Sequence, residues 1–189
     1  MGAPLSKVQA ATAAEVCAHF PIQKPAKALL KDGMTPQEFV AALIENKKFV
    51  DGIDFMAHAL PPREGVWWGC LCMQHAVGET LSPPERMAAT AAVQWVLQPT
   101  EENRAAARNA VEVAGRGSAA GTLAMAASLT GGSVAPPNAP FKPPPPFASA
   151  KAAAMAVKIA STKVDPASMP KVQRSYVELA LEVAQGKLI

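Results

Sequence analysis

Residues 66–73 read Val-Trp-Trp-Gly-Cys-Leu-Cys-Met and carry no charged side chain. On an α-helix Val66, Cys70 and Met73 share one face, while Leu71 and the two tryptophans lie on the others. A helix that is apolar on every side belongs in the interior of a bundle. We therefore expect this segment to be the central helix of the fold.

The composition around this segment favours helices that pack at short distances. Half of the 189 residues are hydrophobic, but 39 residues are alanine and only ten are aromatic. Alanine has the highest helix propensity, and its small side chain permits close contacts between helices. No segment alternates apolar and polar residues over the length of a strand between turn signals. The sequence predicts an all-α fold, a single domain of about eight helices over residues 1–189.

Helix boundaries are marked by capping residues and prolines. Thr35-Pro36-Gln37-Glu38 and Ser82-Pro83-Pro84-Glu85 have the pattern of capping boxes with proline in the first turn, and Thr100 is placed to cap a third helix. Weaker helical patterns cover residues 6–19, 49–60, 62–77 and 149–164. The clearest amphipathic helix runs over residues 170–185, with an apolar stripe formed by Val172, Tyr176, Leu179, Ala180 and Val183.

Charge and cysteine usage limit the classes of partner and compartment. Eighteen basic and fifteen acidic residues give a net charge of +3, and the two signs are interleaved, which predicts no nucleic-acid partner. The longest uncharged stretch, residues 117–141, is broken by glycine and proline, so we expect no contact with a membrane. The N-terminus lacks the pattern of a signal peptide. Three cysteines, Cys17, Cys70 and Cys72, are an odd number and predict a reduced, cytoplasmic setting.

Residues 131–146, GGSVAPPNAPFKPPPP, form a Gly/Pro-rich strap, with seven prolines among the last eleven residues. One interpretation is an extended strap that packs Phe141 and Phe147 against the domain. The other is a binding motif, because residues 137–142 fit the pattern P-x-x-P-x-K that SH3-type aromatic grooves accept. The candidate partner-binding residues of this strap are Pro136, Pro137, Pro140, Phe141 and Lys142.

The central segment contributes further candidates. Trp67 and Trp68 lie about 100° apart on a helix, so their rings point in different directions. Either both rings pack in the core, or one of them contacts a groove or a partner. Both are therefore candidate partner-binding residues. We expect a structural role for Arg63 and Glu64, which lie in the first turn, with Arg63 paired to a carboxylate elsewhere.

The candidates for chemistry are few. His58, His75, Cys70 and Cys72 include metal-ligating groups, but only Cys72 and His75 share a helix face, so we predict no metal and no cofactor. The thiols lie among apolar residues, which is unfavourable for a nucleophile. The alternative to a binding protein is a small enzyme or secreted effector with a pocket around His58, Arg63, Glu64 and His75.

The stretch AHALPPREGVWW, residues 57–68, resembles the AHALPPRExVWW signature of a bacterial family of unknown function. Residues 100–104, 131–137 and 142–146 are similar to other parts of that family's pattern. The family more often has alanine where this chain has Gly65 and Gly69, so we expect a less rigid central helix here.

This resemblance implies an accessory or adaptor role close to type VI secretion components, and it supplies no catalytic residue. We therefore predict a non-catalytic bacterial adaptor that binds a protein partner, either a secretion component or an effector. A homo-oligomer is a further alternative, with the stripe of residues 172–183 as its interface.

Overall fold

The computed structural model describes residues 4–77, 81–135 and 138–187, and these ranges contain ten α-helices and no strand. Eight of the helices have ten residues or more, so the prediction of an all-α fold with about eight helices is confirmed. None of the helices in these ranges is long and apolar enough to cross a membrane. The helices are α1 (Ala13–Cys17), α2 (Lys24–Lys27), α3 (Pro36–Glu45), α4 (Phe49–Ala59), α5 (Pro62–Val77), α6 (Pro83–Leu97), α7 (Glu101–Ala114), α8 (Ala119–Ser128), α9 (Ala148–Ser161) and α10 (Met169–Ala184).

The predicted capping residues begin their helices as expected. At α3 the Thr35 N–H donates to Glu38 Oε2 at 2.8 Å, and the Glu38 N–H donates to Thr35 Oγ1 at 3.3 Å. At α6 the Ser82 N–H donates to Glu85 Oε2 at 3.1 Å. The Thr100 side chain accepts a hydrogen bond from a first-turn amide of α7. These bonds satisfy amides that have no partner within the helix.

The N-terminal segment is less helical than its pattern predicts. Only Ala13–Cys17 is helical within residues 6–19, and the sequence did not indicate the short helix α2. The Lys7 N–H donates instead to the Ala184 carbonyl at the end of α10, at 2.9 Å. The apolar residues before α1, among them Leu5 and Val8, therefore pack on the core without being helical.

Helix α5 is the central helix, as its apolar sequence predicts. It packs against α6, α8, α9 and α10, and Val66, Trp68 and Cys72 are fully buried. The Trp68 Nε1–H donates to the Tyr176 carbonyl of α10 at 2.8 Å. This bond satisfies the one polar atom of a ring that is otherwise surrounded by the core.

Two glycines of α5 have different surroundings. A Cβ on Gly69 would overlap Leu123 of α8, whose side chain is fully buried. Gly69 thus permits a close approach between α5 and α8, a packing role that the sequence analysis did not anticipate. A Cβ on Gly65 would meet no atom within 4 Å, because this residue faces a cavity described below.

The apolar stripe of α10 faces the core of its own chain. Tyr176, Ala180 and Val183 are buried, and α10 packs against α4, α5 and α9. The buried part of this stripe therefore packs within its own chain, and only Val172 and Leu179 keep partial exposure. A homo-oligomer stays a prediction.

Candidate functional site

The Gly/Pro-rich segment forms a loop that is closed at its base. The Val134 N–H donates to the Lys142 carbonyl at 2.7 Å, and the Lys142 N–H donates to Ser133 Oγ at 3.1 Å. Pro136 and Pro137, two of the candidate partner-binding residues, lie outside the described residues. We call residues 138–142 the arm loop.

The arm loop projects an apolar ring into solvent. Pro140, Phe141 and Lys142 are all exposed, and the Phe141 side chain is 71% exposed. Phe147, by contrast, stacks on His19 with a centroid distance of 4.0 Å. Phe147 thus contacts the domain on one face, as the strap interpretation predicts, but is still 39% exposed. Phe141 does not pack against the domain as that interpretation expects, because it lies in the loop that the hydrogen bonds of Lys142 close.

The backbone of the arm loop does not fit the P-x-x-P interpretation. Asn138 has a φ angle of 68°, in the left-handed region. A P-x-x-P ligand needs polyproline II geometry, with φ near −75°, through both of the residues between its prolines. The chain turns at Asn138, so the described part of the motif differs from the conformation of a P-x-x-P ligand. Binding of residues 137–142 to an SH3-type groove stays a prediction.

Two arginines of α7 hold the start of this segment. Arg108 Nη2 donates to the Ser133 carbonyl at 2.6 Å, and Arg104 Nη1 donates to the Ser128 carbonyl at 3.1 Å. The Arg104 side chain is buried and also pairs with Glu101. Neither arginine was predicted as a site residue from the sequence, although the motif of residues 100–104 ends at Arg104.

The two tryptophans of the central helix have different environments. Trp68 is fully buried, so its assignment as a partner-binding residue is corrected: its ring offers no surface to a partner. Trp67 is half-buried and lines an apolar groove of about 300 Å³ between α5 and α6, together with Leu71 and Val93. A role of Trp67 in partner binding stays a prediction.

The first turn of α5 is tied to neighbouring elements. Arg63 Nε donates to the Val96 carbonyl near the end of α6 at 2.7 Å. The acceptor is thus a backbone carbonyl and not the carboxylate that the sequence suggested. Glu64 is buried and forms an ion pair with Lys7 at 3.7 Å. These bonds link α5 to α6 and to the N-terminal segment.

His58, near the end of α4, is the most unusual polar residue of the core. Its side chain is 8% exposed and stacks on Phe20 at a centroid distance of 4.8 Å. Its Nδ1 lies 2.7 Å from the Asp54 carbonyl. A carbonyl only accepts hydrogen bonds, so Nδ1 is protonated, and in the neutral ring Nε2 carries a free lone pair. Nε2 is buried and has no hydrogen-bond partner within residues 4–77, 81–135 and 138–187.

Burial lowers the pKa of His58 below its usual value, and the nearby charges of Lys151 and His19 lower it further. The hydrogen bond to the Asp54 backbone and the charge of the Asp54 carboxylate act in the opposite direction. Lys158 Nζ pairs with that carboxylate at 2.7 Å. His58 is therefore a neutral imidazole at neutral pH.

The four residues of the enzyme hypothesis do not converge. His58 lines two adjoining cavities, of about 300 and 440 Å³, but Arg63 and Glu64 line neither. His75 is exposed near the other end of α5, about 18 Å along the helix axis from Arg63. The structure instead groups His58 with His19 and Phe147, a combination of residues from distant segments that sequence spacing does not indicate.

The thiols of this chain are held in the protonated form. Burial raises the pKa of Cys17 to about 11 and that of Cys70 to about 12, and it also raises the pKa of Cys72. A protonated thiol is a weak nucleophile and a poor metal ligand. Among the described residues, no three side chains of His, Cys, Asp or Glu are arranged to hold a metal ion.

These features define the class of protein: an all-α bundle with a buried central helix and an arm that two arginines anchor. The chain belongs to a family of unknown function, DUF6931, whose model matches residues 39–184. The matched range contains the central helix, His58, the two arginines of α7 and the arm loop. No curated protein and no solved structure matches the chain.

Proposed function

We propose that this protein is a non-catalytic bacterial adaptor that binds a protein partner through the arm loop. The observation that carries the proposal is the 71% exposure of the Phe141 ring on a loop with a hydrogen-bonded base. A large apolar side chain on a preorganised loop gains binding free energy at a low entropic cost. Aromatic anchors of this kind often account for most of the affinity of an interface.

The side chains of the arm loop indicate which groups the partner must present. Phe141 needs an apolar pocket, and the exposed Lys142 beside it favours a carboxylate at the rim of that pocket. Arg108 and Ser133 fix the base of the loop, so its position relative to the bundle is defined before binding. The resemblance of the sequence motifs to those of a family near secretion genes supports a type VI secretion component or effector as the partner.

Direct binding to purified type VI components tests this function. The immobilised full chain is exposed to each component, and the affinity of any pair is measured by calorimetry for wild type and for Phe141→Ala. We expect the substitution to weaken binding at least tenfold, because it removes the anchor. Leu97→Ala is the matched control, since Leu97 is also an exposed apolar side chain but lies on α6. Equal affinities of wild type and Phe141→Ala, or no binding to any component, would contradict the proposal.

A further inference from the structure

A second feature, independent of the arm loop, is the cavity of about 300 Å³ beside His58. Its wall is formed by the end of α4, the start of α5, residues 129–131 and the first turns of α9. The cavity of about 440 Å³ on the other side shares His58, Leu60, Pro62 and Phe147 with it. Volumes of this size are typical of small-molecule sites, which are mostly apolar with a few polar groups.

The first turn of α9, which lines this cavity, has unpaired hydrogen-bond donors. The first helical bond of α9 is donated by the Lys151 N–H to the Phe147 carbonyl. The N–H groups of Ser149 and Ala150 find no acceptor among the described residues, and the N-cap residue, Phe147, has no side-chain acceptor to offer. Both residues line the cavity. Such a helix start carries a partial positive charge and favours an anion.

His58 is an independent indication of a missing ligand. Its ring lines the same cavity and it is more than nine-tenths buried. Its Nε2 has almost no accessible surface and finds no partner in the described part of the chain. A buried polar atom without a hydrogen bond is costly, and a ligand that pairs with it removes that cost. Of the two phenyl rings near His58, Phe147 is 39% exposed and Phe20 only 9%, so we expect Phe147 to move when a ligand reaches Nε2.

The charges around the cavity favour a ligand with a negative charge. No acidic side chain lines the 300 Å³ cavity, and the charge of Lys151 acts on His58 from α9. The Asp54 carboxylate is already paired with Lys158. The apolar walls, among them Leu60 and Leu129, suit a hydrocarbon body.

We propose that this cavity binds a small molecule with a carboxylate on an apolar body, the carboxylate lying at the first turn of α9 and the apolar body along Leu60 and Leu129. A carboxylate next to His58 stabilises its protonated ring, whose Nε2–H then donates to the ligand. Binding therefore takes up one proton from solvent.

The probes are octanoate, 1-octanol as its uncharged match, and acetate as the charge without the apolar body. Each is titrated into the ¹⁵N-labelled full chain, and the amide signals of Ser149 and Ala150 are followed. We expect saturable shifts with octanoate and at least tenfold weaker binding of 1-octanol and acetate. We also expect octanoate to bind more tightly at pH 6 than at pH 8. These titrations use the unsubstituted chain, so the charged groups around His58 are all present. They are Asp54, Lys151 and His19, together with Glu15 on the wall of the second cavity.

The location is tested by filling the cavity. Gly65→Leu places a side chain in the space that the ligand needs, because nothing lies within 4 Å of a Cβ there. We expect at least tenfold weaker octanoate binding. Gly117→Leu is the control, since Gly117 also has open space but does not line the cavity. If Gly65→Leu does not fold, Ser149→Ala takes its place, and we expect about threefold weaker binding from the loss of the hydroxyl.

Three results would overturn the proposal. The first is the absence of saturable shifts at Ser149 and Ala150 with octanoate. The second is equal affinity for octanoate and 1-octanol, which would show that the carboxylate is not recognised. The third is unchanged octanoate binding in a folded Gly65→Leu variant. None of these results bears on Phe141, so this site and the adaptor role are tested separately.

Discussion

The guanidinium of Arg104 lies against Gly132, in the space that a side chain on residue 132 would occupy. Gly132 has a φ angle of 66°, and the carbonyl of Ser128, four residues earlier in the chain, accepts a hydrogen bond from the same guanidinium. The buried arginine of α7 and the start of the arm therefore depend on each other. Residue 132 must be glycine for both steric and backbone reasons.

The first prediction concerns this pair. Gly132→Ala introduces a Cβ that overlaps Arg104 and places alanine in the left-handed region, so we expect the free energy of unfolding to fall by about 2–3 kcal/mol. Gly131→Ala is the matched control, since its Cβ meets nothing within 4 Å and its φ is not positive. Chemical denaturation measures both variants, and equal losses would contradict the role of Arg104.

The second prediction concerns the two glycines of α5. Gly65→Ala adds helix propensity in open space, and we expect it to raise the free energy of unfolding by about 0.5–1 kcal/mol. Gly69→Ala gains the same propensity but overlaps the buried Leu123, and we expect a net loss of about 1–2 kcal/mol. Thermal and urea unfolding of both variants measure the difference. A stabilised Gly69→Ala would show that α5 and α8 separate at little cost.

Much of the fold was predictable because its signals are local. The capping boxes at Thr35 and Ser82 need only four consecutive residues, and the apolar segment 66–73 needs only helical periodicity. The N-terminal segment was harder, since its apolar residues pack on distant helices through contacts such as Lys7 with Ala184. Tertiary contacts of this kind override a weak local helical pattern.

The candidate sites were less predictable, because they combine residues from distant segments. His58 was identified as a chemically interesting residue, but His19 and Phe147 reach it only after α1, α4 and α9 pack together. The proline content of the arm was evident, but its turn at Asn138 was not, since a left-handed residue leaves only a weak trace in the sequence. Exposure of Phe141 likewise depends on hydrogen bonds that join Ser133 and Val134 to Lys142, which is not adjacent to them in the sequence.

The third prediction compares substitutions of Trp68 and Tyr176, the two residues whose hydrogen bond joins α5 to α10. Trp68→Phe removes the donor to the Tyr176 carbonyl and leaves a cavity, so we expect a loss of about 2–3 kcal/mol in the free energy of unfolding. Tyr176→Phe removes a buried hydroxyl that has no hydrogen-bond partner among the residues that the structure describes, and we expect no loss or a gain of up to about 1 kcal/mol. Denaturant titrations measure both, and a large loss in Tyr176→Phe would indicate a partner for its hydroxyl.

The last prediction concerns pH. Because the pKa of His58 is lowered in the folded state from its usual 6.5, the unfolded chain takes up a proton at this residue before the folded chain does. The contribution of His58 to the free energy of unfolding therefore falls as the pH is lowered through about 6.5 towards the folded-state pKa. In His58→Phe the ring still stacks on Phe20 but no longer titrates, so we expect a smaller loss of stability between pH 7.5 and 5.5 than in wild type.

His75→Gln is the control, because His75 is exposed, and it should keep the wild-type loss. Urea unfolding at the two pH values measures all three proteins, and an equal pH dependence of wild type and His58→Phe would show that folding does not lower the pKa of His58.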